Sequence, residues 1–67
     1  MNGVDVEDRL LSPEEVAEML GVPVGTLANW RYQGRGPAFV KIGRHVRYRR
    51  SDVAGLVEEC MVPAGRQ

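Results

Sequence analysis

Only Gly21, Val22 and Pro23 separate two short apolar patterns, and this three-residue connection limits the fold more than any other feature of the chain. Upstream of it, Ser12, Pro13, Glu14 and Glu15 carry the signature of a helix start. Serine caps, proline suits the first helical position, and Glu15 stands where a capping box needs a carboxylate. The helix this predicts runs from Pro13 to Leu20, with Val16, Ala17 and Leu20 on one face and Glu14, Glu15 and Glu18 away from it. Gly21 ends it. Downstream, Val24 and Leu27, with Trp30 or Arg31 beside them, predict a second helix that stops at Gly34. A turn this short needs one residue tolerant of positive φ and one buried aliphatic plug, and Gly21 and Val22 supply them, so the spacing matches a helix-turn-helix.

From Phe39 to Arg49 the period changes to two, which predicts a hairpin. With Gly43, Arg44 and His45 as the loop, Ile42 pairs with Val46, Lys41 with Arg47 and Val40 with Tyr48. One face is then wholly apolar and the other wholly basic; a two-residue loop would mix the faces and is rejected on that ground. Ser51 and Asp52 suit the cap of a third helix, whose Val53, Leu56, Val57 and Cys60 fall at i, i+3, i+4 and i+7. The expected fold is mainly α with a small β-hairpin: a winged helix-turn-helix in the order helix, helix, two-stranded wing, helix. A chain of 67 residues holds one such core. Residues 1–9 read as a loose acidic arm, 10–62 as the domain and 63–67 as a tail.

The formal net charge is zero, but the charges are segregated. Residues 1–30 carry Asp5, Glu7, Asp8, Glu14, Glu15 and Glu18 against Arg9, whereas 31–50 carry Arg31, Arg35, Lys41, Arg44, Arg47, Arg49 and Arg50 and no acid. Such a block makes a local positive field that attracts phosphate whatever the sum. One cysteine, Cys60, and one histidine, His45, leave no disulfide and no metal-ligand set, and no cofactor or small-molecule ligand is expected. Cys60 itself reads as a small apolar residue near a helix end. No acid and base flank a nucleophile, so an enzyme is not expected. The apolar runs are too short for a membrane span, and neither a charged leader nor a lipidation motif is seen; the cytoplasm of a bacterial cell is the expected location.

At 100° per residue, with Leu27 facing inward, the second helix turns Gly25, Asn29 and Tyr32 outward, with Thr26 and Gln33 along the edge. These are groups suited to a major groove: asparagine takes adenine through its amide, threonine meets a thymine methyl or a phosphate, and glycine lets backbone approach backbone. Trp30 and Tyr48 are expected in the core, and Arg31, nearer the buried side, either spans to phosphate or braces the fold, the first being favoured. On the hairpin Lys41, Arg47 and Arg49 are expected along one face, with Arg44 and His45 at the tip, where an arginine suits a minor groove.

The stretches LLSPEEVAEMLGVPVGTLANWR and GRGPAFVKIGRHVRYRRSDV, at this distance apart, resemble the phage and plasmid excisionases and the AlpA-like regulators, whose winged helix domain is similar to that of MerR regulators. The resemblance covers about Leu11 to Val57. It implies a second helix in the major groove and a wing in the adjacent minor groove, and points to Gly25, Thr26, Asn29, Arg31, Arg44 and Arg47. Family members commonly place a basic or bulky residue where Gly25 and Ala28 stand, so Lys41, Arg44, Arg47 and Arg49 of the wing are expected to supply most of the grip. The coiled-coil helix and effector domain of MerR regulators are absent from the sequence, which implies monomers side by side on repeated sites. The implied function is a recombination directionality factor: it binds double-stranded DNA near a phage attachment site, bends it and directs an integrase toward excision. The partners are then DNA, the integrase and neighbouring copies. A small transcriptional regulator of the same fold is the alternative, and a protein-interaction adaptor gripping an acidic partner is a third reading.

Overall fold

The computed structural model describes residues 9–65. Residues 1–8 of the expected arm, and Arg66 and Gln67 of the expected tail, lie outside them. The elements are β1 (Leu10–Leu11), α1 (Pro13–Leu20), α2 (Val24–Gln33), β2 (Val40–Ile42), β3 (His45–Arg49) and α3 (Arg50–Glu59). This is a winged helix-turn-helix, with the strands in the order β1-β3-β2 in one antiparallel sheet. None of the helices among the described residues is long and apolar enough to cross a membrane.

The helix pair follows from local chemistry. Glu15 N–H donates to Ser12 Oγ (3.1 Å) and Ser12 N–H donates to Glu15 Oε1 (2.8 Å), closing the capping box that starts α1. Gly21 takes φ +72°, and Val22 N–H reaches back to the Ala17 carbonyl (3.0 Å). At the end of α2 the same device recurs: Gly34 sits at φ +74°, its N–H donates to the Arg31 carbonyl (3.2 Å), and Arg35 N–H donates to that of Trp30 (2.8 Å). Both are glycine C-caps that satisfy carbonyls the helix leaves open.

Leu11, Val16, Ala17, Leu27, Tyr48 and Val53 form the buried core, and Leu20, Val22, Trp30 and Val46 pack against it. Every element except β2 thus sends at least one side chain into the buried set. Val22 and Trp30 occupy the places expected of them, and Tyr48 is wholly buried.

The hairpin departs from the expectation. Its loop is two residues, Gly43 and Arg44, and the register pairs Val40 with Arg47, Lys41 with Val46 and Ile42 with His45. The faces are therefore mixed. Gly43 has φ +62° and Arg44 a negative φ, the pattern of a type II′ turn, whose twist suits the flanking strands. Wholly apolar and wholly basic faces do not form because β2 is an edge strand with little to bury. Val40 is half buried and Ile42 is 53% exposed, so turn geometry rather than burial sets the register. The buried sheet face comes instead from β3 and from β1, a strand absent from the sequence reading: Leu11 stands opposite Tyr48.

α3 begins earlier than expected. Arg49 rather than Ser51 or Asp52 is its N-cap residue, and Asp52 receives the Arg49 guanidinium. Of the four residues placed on its apolar face, Val53 is buried and Leu56 half buried, whereas Val57 and Cys60 are exposed. Cys60 is the C-cap residue and does not join the core.

Candidate nucleic-acid interface

α2 and the wing face each other across an open groove of about 340 Å³. One wall is the α2 face Ala28, Arg31 and Tyr32, residues spaced i, i+3 and i+4; Lys41, Arg44 and Val46 form the other, with Phe39 between. The small Ala28 side chain leaves that wall open, and Tyr32 is 94% exposed. Lys41 reaches the groove because the two-residue turn puts it on the same sheet face as Val46; a lysine of this kind can lay its stem along apolar surface and keep its ammonium in water.

Arg31 is the built part of the groove. Its Nη1 donates to Tyr48 Oη at 2.6 Å, and its guanidinium carbon lies 5.8 Å from the centre of the Phe39 ring. The Phe39 and Tyr48 rings are in turn 6.2 Å apart and inclined by 55°. Such tilted aromatic pairs and cation–π contacts each contribute about 0.5–1 kcal/mol where partly exposed. Among the described residues no carboxylate lines the groove; Glu14, Glu15 and Glu18 lie on α1 and Glu58 and Glu59 at the end of α3.

A family model described as a helix-turn-helix domain matches residues 10–61. The chain belongs to that family. Among curated proteins and among solved structures, none matches the chain. A helix-turn-helix domain implies binding to double-stranded DNA, and the basic groove lies where its second helix and wing meet.

Within this helix-turn-helix domain the expected contact residues divide into three groups. Gly25, Asn29 and Tyr32 are exposed on α2 as expected, with Thr26 half buried at its first turn and its N–H donating to the Pro23 carbonyl (3.0 Å). Lys41 and Arg44 are exposed and share the groove with Arg31. His45 is exposed too, but it belongs to β3 opposite Ile42 rather than to the loop. Arg47 lies on the other sheet face opposite Val40, half buried, with its Nη1 donating to the Val46 carbonyl (2.6 Å). It does not share a face with Lys41, as the expected register required.

Arg49 has a partner within the fold. Its Nε donates to Asp52 Oδ2 at 2.8 Å and its Nη2 to Oδ1 at 3.4 Å, and it pairs across the sheet with Leu10. It ties β3 to α3, and the register puts it on the sheet face opposite Lys41, not on the shared face that was expected. Arg31 likewise has an internal partner that the sequence reading did not assign. Two signals were available: Arg31 is one turn beyond Leu27 and so turns toward the hairpin, and Arg49 and Asp52 are spaced i, i+3 across a helix start. Phe39 and Ala28 were not expected in the groove.

Proposed function

We propose that this domain is a recombination directionality factor, which binds repeated duplex sites beside a phage attachment site, bends the DNA and directs an integrase toward excision. The observation that carries the DNA-binding part is the groove lined by Arg31, Lys41 and Arg44, with no carboxylate among the described residues that line it, set between an exposed α2 face and a two-stranded wing. The resemblance of the helix pair and wing to excisionases supports the rest.

α2 presents Gly25, Thr26, Asn29 and Tyr32 to the major groove, with Asn29 the side chain best equipped to read a base edge. The wing tip brings Arg44 to the adjacent minor groove, where a guanidinium responds to groove width and potential more than to base identity. His45 and Arg47 follow on the same wing. A single module of this kind covers roughly 600–1,000 Å², so copies side by side on repeats and contacts with the integrase complete the affinity. The protein acts in the bacterial cytoplasm.

A circular-permutation gel shift on attachment-site DNA, run beside an excision assay with the cognate integrase, tests this. Binding with a bend and stimulated excision is the expected result. Binding that neither bends DNA nor affects excision would assign the domain to transcriptional control instead. Absence of salt-sensitive duplex binding would overturn both.

A further inference from the structure

Arg31 differs from the other two cations of the groove. Lys41 and Arg44 are exposed, whereas Arg31 is half buried and fixed at one nitrogen by Tyr48 Oη, 2.6 Å away. Tyr48 is wholly buried, and its hydroxyl accepts this bond from a guanidinium that lines the groove. A guanidinium is a planar fork of five donors. With one donor held by the phenol oxygen and the plane beside the Phe39 ring, the others are held in one orientation.

We infer that this groove seats one backbone phosphate of the DNA strand that passes between α2 and the wing, and that the core residue Tyr48 positions Arg31 to hold it. The inference rests on the DNA-binding reading above and adds to it a ligand group and a positioning residue. A phosphodiester carries one charge on two free oxygens, and a fork held in one orientation can meet both at once, leaving Lys41 for a neighbouring phosphate and Arg44 for the minor groove. The exposed Tyr32 hydroxyl is within the same wall. The Tyr48 bond matters because a long side chain left free must be ordered when DNA binds, which weakens a complex by roughly two- to twelvefold.

The test uses the full chain and a short duplex carrying its site, with affinity measured by fluorescence anisotropy over a range of salt concentrations. Tyr48→Phe keeps the ring and removes one oxygen. It should lower affinity by roughly two- to twelvefold and leave the salt dependence unchanged, because the number of neutralised phosphates is the same. Arg31→Gln should lower affinity and reduce the slope of log K against log salt by about 0.9, one phosphate's worth. The double variant should bind no more weakly than Arg31→Gln, since Tyr48 acts through Arg31. A scan of single methylphosphonate linkages needs no change in protein stability: one position should weaken the wild type and leave Arg31→Gln unaffected. Multiplying losses in the double variant, an unchanged slope in Arg31→Gln, or no such linkage would overturn the inference while wild-type binding persists. Loss of salt-dependent binding by the wild type itself would instead overturn the DNA-binding reading.

Discussion

A methyl group added at Gly36 should be among the most damaging small changes in the domain, for two separable reasons. Gly36 sits at φ +87°, where an L residue costs about 1–2 kcal/mol. A Cβ there would also lie 2.9 Å from Cε3, 3.0 Å from Cβ and 3.4 Å from Cδ2 of Trp30. The indole is rigid and packed against the core, so it cannot step aside cheaply, and overpacking of this kind costs about 1–3 kcal/mol. Gly36→Ala should therefore lose about 2–5 kcal/mol, against a total stability of roughly 3–10 kcal/mol for a domain of this size. Gly34→Ala supplies the control: φ is +74°, but nothing lies within 4 Å of its added Cβ, so only the backbone cost of about 1–2 kcal/mol applies. At roughly 4–8 °C per kcal/mol, Gly36→Ala should melt about 4–24 °C below Gly34→Ala. Thermal unfolding followed by circular dichroism, with the fluorescence of the single tryptophan as a second probe, measures the difference directly. Equal melting temperatures for the two variants would refute the close packing of Gly36 on Trp30.

Leu27→Ala empties a fully buried site of α2 and should cost about 2–5 kcal/mol, read as a lowered midpoint in urea. Ser12→Ala removes half of the capping box and should cost about 0.5–2 kcal/mol in the same assay. Arg49→Ala breaks the pair with Asp52, partly exposed, and should lose no more than about 1 kcal/mol while leaving the salt dependence of DNA binding intact; a reduced slope would return Arg49 to the phosphate-facing surface. Arg44→Glu together with Arg47→Glu should abolish duplex binding in a gel shift without a comparable loss of stability.

The parts of the fold legible in the sequence are those set by local chemistry. Ser12 to Glu15, Gly21 and Gly34 fix the ends of α1 and α2 through bonds to residues no more than five positions away, so reading them requires no knowledge of the tertiary structure. The hairpin was legible as an element, but its register was not. Alternation constrains register only where a strand has a face to bury, and β2, at the sheet edge, has almost none. Leu10 and Leu11 gave no strand signal because two residues carry no period; their pairing with Arg49 and Tyr48 is made by the fold. The α3 pattern was correct as a helix but overestimated burial, since no element covers Val57 or Cys60 among the described residues. In the site, clustering of charge between Arg31 and Arg50 was plain from the sequence, whereas the internal partner of Arg31, 17 positions away at Tyr48, was a product of folding.

The salt dependence of duplex binding by the unmodified protein bears most directly on the role of the basic groove and wing. Arg31, Lys41 and Arg44 are the three cations of the groove, and at about 0.9 for each charge they neutralise on the DNA the slope of log K against log salt should be about −2.7. A slope near that value, measured by anisotropy between low and physiological salt, is the predicted result. A slope near zero, or no duplex binding at low salt, would contradict it.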